Sequence, residues 1–172
     1  MQDLQKEIIK DYSIEIHSYK DNIIDNIPDF ITKTDKITDI NDGSIIQLLD
    51  SDYICGKAHL SQAISHAFRA FDDNENFAND PGLEICVRLS AQKQIKEALK
   101  LLGIKNKGNI TVVYINTTPE QVDMMEELLT PRCDELLEEY DIEKIVDAYQ
   151  LKSCDNIVDM LNEKIAMLAI KY

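Results

Sequence analysis

The sequence predicts an α/β (α+β) fold: one domain over residues 1–172, with a small mixed β-sheet covered by helices and a C-terminal helical portion. Three observations carry this expectation. At 172 residues the chain can bury a core without disulfide or metal staples. Segments that alternate or are β-branched are interspersed with segments of helical period. No internal repeat, low-complexity tract or linker divides them, so helices are expected to cover one sheet.

Residues 12–17 alternate apolar and polar, with Tyr12, Ile14 and Ile16 set against Ser13, Glu15 and His17, the pattern of a half-buried strand. Residues 28–40 carry Phe30, Ile31, Ile37 and Ile40 and predict a short helix, with threonines opposing it. Asn41-Asp42-Gly43 marks a turn. Residues 45–49 fit a short buried strand or a helical turn, which periodicity alone does not separate.

A helix is expected from His59 to about Asp72, because Leu60, Ala63, Ile64, Ala67, Phe68, Ala70 and Phe71 share one broad arc at 100° per residue. Residues 83–89 read as a strand with Ile85, Val87 and Leu89 on one face. Ser90 is then the N-cap of a helix with the core stripe Ile95, Ala98, Leu99 and Leu102, ended by Gly103. Residues 110–115 form a β-branched strand. Thr118-Pro119-Glu120-Gln121 combines a capping box with proline at the first helical position. From there the chain reads as acidic and helical to about Ala148, broken near Thr130-Pro131 and Tyr140-Asp141. Ser153 is expected to cap a last helix running toward Tyr172.

Composition excludes several classes. The net charge of −14 opposes generic binding to nucleic acid or anionic lipid, since the long-range field repels phosphate. The absence of Trp argues against a large stacking platform for single strands. The charge is unevenly spread: residues 52–108 sum to +1 and the remainder to −15. An anionic partner would therefore dock at this near-neutral middle. Cys55, Cys86, Cys133 and Cys154 are scattered with no CxxC pair, as in a protein with reduced thiols. Residues 1–7 are charged with no apolar run behind them, and no stretch reaches membrane-spanning length. A soluble, cytoplasmic protein is expected, with no cofactor.

Phosphate-cradling loops, nucleophile elbows, HExxH and metal-spaced Cys/His clusters are all absent from the sequence. Cys55 and His59 lack further ligands, and Asp72, Asp73 and Glu75 read as a helix end rather than an acid–base pair. Two strips remain. His59, Gln62, His66 and Arg69 fall within about 80° on the non-core face of their helix, offering donors and a cation to a phosphate or base edge; the competing reading is histidines flanking the core. Lys93, Lys96 and Lys100 lie opposite the next helix's core stripe and are either a solvated face or, if the two helices adjoin, part of one basic surface. In the last helix Ile157, Leu161, Ile165 and Leu168 form one stripe while Met160 and Met167 lie on another face. Such a helix is buried in its own domain or packed on a partner.

The run Asp52-Tyr53-Ile54-Cys55-Gly56-Lys57-Ala58-His59-Leu60, followed by Ala63, Ala67 and Arg69, carries a resemblance. So do Leu83-Glu84-Ile85, the stretch Leu89-Ser90-Ala91-Gln92-Lys93-Gln94-Ile95-Lys96-Glu97-Ala98, and Gly103-Ile104. Together they resemble the TP53RK-binding protein (CGI-series) family, the small accessory subunits of the KEOPS complex, in an archaeal-type form. The resemblance implies a non-catalytic subunit that binds the KEOPS kinase/ATPase and helps recruit tRNA by its single-stranded 3′ CCA end. KEOPS itself makes N6-threonylcarbamoyladenosine in ANN-decoding tRNAs. Under that reading the RNA-binding candidates are Lys57, His59, Gln62, His66, Arg69, Arg88, Lys93, Lys96 and Lys100. The kinase-facing candidates are Ile157, Met160, Leu161, Ile165, Met167 and Leu168. The alternatives are a kinase-activating interaction module without RNA contact, or a small His-dependent enzyme.

Overall fold

The computed structural model describes residues 12–170. The charged run at residues 1–7 and the end of the chain at Tyr172, both used in the expectations above, lie outside the described residues.

The sheet is organised by its middle strand. β3 (Lys107–Ile115) is flanked by β1 (Ile14–Ile23) and β2 (Ile45–Asp50) in the order β1-β3-β2, and both ladders are antiparallel rather than mixed. Every residue from Ile110 to Ile115 is buried, which explains the lack of apolar–polar alternation in this largely β-branched run: the strand has no solvent face there. Its side chains alternate between two cores. Val113 and Ile115 join Leu49 and the helices on one side; Ile110, Val112 and Tyr114 join Tyr19, Ile46 and the helices on the other. β1 starts two residues later than the alternation at residues 12–17 implies and runs further, across a register shift between Tyr19 and Asn22.

Helix α1 (Ile27–Thr38) covers the second core together with α5 (Pro119–Leu128). Asn26 caps α1 by accepting the Asp29 N–H. The turn at residues 41–43 is as expected, with Gly43 at φ +82°, and residues 45–49 resolve to strand. The capping box of α5 is present, and its Gln121 does more than cap. Fully buried, it donates from Nε2 to the Ile37 carbonyl at 2.9 Å and to Ser44 Oγ at 3.0 Å, tying α5 to the end of α1.

The first core is covered by α2 (Gly56–Asp72), α3 (Pro81–Ser90) and α4 (Ile95–Leu102). The α3 segment corrects the strand expected at residues 83–89. Asp80 accepts the Leu83 N–H at 2.9 Å, Pro81 occupies the first turn, and Glu84 pairs with Arg88 one helical turn later. Glu84 through Ser90 are all buried, so the helix has no polar face and its period was hidden. Ser90 consequently ends α3 rather than capping α4, whose N-cap is Gln94; Gly103 does close α4. Lys93 falls in the α3–α4 loop and not on a helix face.

Beyond α5 the expected breaks are present, but residues 129–141 hold an isolated bridge from Arg132 to Tyr19 and a short 3-10 turn (Asp134–Leu137) where helix was expected. Then come α6 (Ile142–Ala148) and α7 (Ile157–Met167). Ser153 does not cap α7: its Oγ accepts the Asp155 N–H, and the helix begins after Asn156 at φ +53°. Ile145, Tyr149, Ile157 and Leu161 close a third small core on Cys55. The four cysteines are free thiols.

Candidate interaction surfaces

The start of α2 is built around one histidine. Cys55 offers no side-chain cap; instead His59 Nδ1 accepts the Cys55 N–H at 2.9 Å. Its Nε2 lies 3.1 Å from the Leu89 carbonyl, which only accepts, so the ring carries its proton on Nε2. The ring is 0% exposed, packs edge-on against Tyr149, and is pushed by burial to a pKa of about 4. His59 is therefore a neutral structural residue, not a surface ligand. Gly56 precedes it at φ +79°, where a Cβ would come within 3.2 Å of the Leu137 carbonyl and 3.3 Å of the Tyr140 ring. The CGK sequence is thus set partly by packing, and it leaves Lys57 exposed on the first turn.

The rest of the α2 strip divides by depth. Gln62 and His66 are half-buried and joined by a 2.9 Å hydrogen bond from the amide to His66 Nε2. Burial, followed by the charges of Arg69 and Arg88, lowers the His66 pKa to about 4, so it too is neutral near pH 7. Arg69 is exposed. His66, Arg69, Asp73, Arg88 and Ala169 line a narrow crevice of about 30 Å³. Beside it opens a cleft of about 590 Å³ between the α2–α3 loop, Arg88, Lys93 and the turn after α7 (Leu168, Ala169 and Ile170).

The fold therefore brings together some predicted residues and separates others. His66, Arg69, Arg88 and Lys93 gather at these adjoining hollows. Lys96 and Lys100 are exposed on α4, but α3 packs against both α2 and α4 and stands between the two strips. Lys105, also in the near-neutral middle, is used internally: it donates to Asp50 at 2.9 Å and to the Leu101 and Gly103 carbonyls at the end of α4. Sequence reasoning missed Phe77, which lines the cleft with the Arg88 guanidinium 4.4 Å from its ring centre. It also missed the contribution of residues 168–170. The cluster Asp72, Asp73 and Glu75 does sit at the end of α2.

Helix α7 also divides. Ile157, Leu161 and Ile165 are buried against this chain, Met160 and Leu168 are half-buried, and Met167 is 45% exposed. Met160, Met167 and Leu151 line an open groove of about 310 Å³ rimmed by Lys152, Glu163 and Lys164. Internal packing thus explains the leucine–isoleucine stripe, and the methionine face is the part left open at the surface. Among the described residues no three His, Cys, Asp or Glu side chains form a group able to hold a metal, and no helix is long and apolar enough to cross a membrane.

These features define a small α/β protein in which a cleft lined by Glu75, Phe77, Arg88 and Lys93 and a methionine-lined groove are open at the surface of a helix-covered antiparallel sheet. The family model described as "Kinase binding protein CGI-121" matches residues 16–171, and the chain belongs to this family. It is 30% identical over 134 residues to the "Regulatory protein Cgi121" of Methanocaldococcus jannaschii, covering 76% of this chain and 88% of that protein.

Proposed function

We propose that this chain is a non-catalytic regulatory subunit of the KEOPS tRNA-modification complex. It binds the kinase/ATPase subunit through the outer face of α7 and helps recruit tRNA by its single-stranded CCA end. It would act in the cytoplasm, with no cofactor or small-molecule substrate of its own, while another subunit transfers the threonylcarbamoyl group. Membership of a family described as kinase-binding supports the first partner. The observation that carries the second is the placing of Arg69 and Lys93 at two adjoining hollows, with Lys57 exposed on the same helix as Arg69. Lys57 and Arg69 stand twelve residues apart on α2, roughly 18 Å along its axis. That span suits a short unpaired tail rather than a duplex body. The −14 net charge keeps the contact local, and an unpaired end offers base edges that a duplex hides.

Of the predicted RNA contacts, Lys57, Gln62, His66, Arg69, Lys93, Lys96 and Lys100 retain surface exposure, whereas His59 and Arg88 do not. The same geometry argues against a His-dependent enzyme: both ring nitrogens of His59 are taken by backbone groups, and His66 Nε2 is taken by the Gln62 amide. The test is the double reversal Lys57→Glu, Arg69→Glu. Affinity for CCA-ended RNA is expected to fall at least about tenfold at 100 mM salt, with capture of the kinase subunit unchanged. Unaltered RNA affinity, both for the free chain and for its complex with the kinase, would leave only the kinase-activating interaction module.

A further inference from the structure

The wall between the two hollows is built by a buried ion pair with an unusual number of tasks. Glu84 Oε1 accepts the Phe77 N–H at 2.8 Å and the Ala78 N–H at 2.7 Å, while its Oε2 accepts from Arg88 Nε at 2.7 Å. Arg88 Nη2 in turn donates to the Glu75 carbonyl at 3.1 Å, and its guanidinium lies over the Phe77 ring. The two side chains are 0% and 3% exposed. One helical turn of α3 therefore grips three backbone positions of the α2–α3 loop, at residues 75, 77 and 78, and orients the Phe77 ring as well.

A charge pair this deep contributes little net stability, because desolvation offsets most of the attraction. What it does supply is a fixed course for a loop that contributes Asn74, Asn76 and Phe77 to the cleft rim. Arg88 is poorly placed to hold a phosphate, since its charge is neutralised by Glu84 at salt-bridge distance. We infer that Glu84 and Arg88 are positioning residues for the RNA-end site: they clamp residues 75–78 into the shape that receives the unpaired nucleotides and do not contact the phosphates themselves. This rests on the reading of the cleft as the RNA site.

The discriminating variant is Glu84→Gln in the full chain. It removes a negative charge beside a site for an anion, so a purely electrostatic role predicts tighter RNA binding. A clamp predicts the opposite, because the amide NH2 must meet a donor in either orientation, the Arg88 Nε–H or the Phe77 and Ala78 N–H groups. Anisotropy titrations with a 5′-fluorescein single-stranded RNA ending in CCA, from 50 to 200 mM salt, are expected to show affinity lowered about fivefold or more. The salt slope should be unchanged, whereas loss of one phosphate contact would reduce it by about 0.7. If Glu84→Gln does not fold, the double variant Glu84→Leu, Arg88→Met keeps an apolar filling of similar volume, and the same loss with the same slope is expected. Undiminished affinity in the folded variant, or a slope reduced by one contact in the double variant, overturns the clamp. Failure of the wild-type chain to bind the RNA at all would overturn the reading of the cleft itself.

Discussion

Acid sensitivity centred on His59 is the sharpest consequence of the structure. The imidazole would ionise near 6.5 in the unfolded chain, and burial lowers it to about 4 in the folded one. Between those values the unfolded state binds a proton that the folded state refuses. The stabilising term is therefore complete above pH 6.5, is lost as pH falls through the window, and levels off below about 4. The full shift corresponds to about 3 kcal/mol, and moving from pH 7 to pH 5 costs roughly 2 kcal/mol of it. With a urea m-value of about 2 kcal/mol/M, the midpoint should move down by roughly 1 M from this residue alone. His66 adds a term of the same sign, since its pKa is also lowered to about 4. The comparison that isolates His59 is therefore wild type against His59→Gln, in urea titrations followed by circular dichroism at pH 7, 6 and 5. Glutamine does not titrate, so the variant should lose markedly less stability on acidification while sharing every other titration. Parallel pH profiles for the two proteins would refute the buried neutral ring and reopen His59 as an accessible group.

Other expectations follow from single contacts. Gln121→Ala removes the buried amide that holds the Ile37 carbonyl and Ser44, together with half of a capping box, and should cost about 1–3 kcal/mol in chemical denaturation. The two faces of α7 should separate fold from partner binding. Leu161→Ala, at a fully buried position, should destabilise by about 2–5 kcal/mol. Met160→Lys with Met167→Lys should leave the melting temperature nearly unchanged while abolishing capture of the kinase subunit. Retained capture by that double variant would move the kinase interface off the methionine face.

Much of this fold could be read from the chain because local signals and burial coincide. The β-branched run at residues 110–115 is β3, the apolar arc of residues 60–71 is α2, and Thr118 to Gln121 is a capping box in fact as in pattern. The misreading of residues 83–89 has a definite cause. Ile85, Val87 and Leu89 alternate with Glu84, Cys86 and Arg88, but both sets are buried, so alternation carried no information about faces. Two local signs did point to helix: Asp80-Pro81 as an N-terminus and the four-residue spacing of Glu84 and Arg88.

The candidate site divides along the same line. A helical wheel correctly places His59, Gln62, His66 and Arg69 on one strip, since that follows from 3.6 residues per turn. Depth along the strip depends on elements remote in sequence. Tyr149 and the Leu89 carbonyl enclose His59, whereas Arg69 stays exposed. By itself, then, the sequence determined the elements, the near-neutral middle of the chain and the resemblance to the CGI-series family. Only the tertiary structure decided which cations face a cleft, that α3 parts the two basic strips, and that Arg88 grips a loop. Those outcomes depend on which distant surfaces bury one another, and the periodicity of a single segment does not record that.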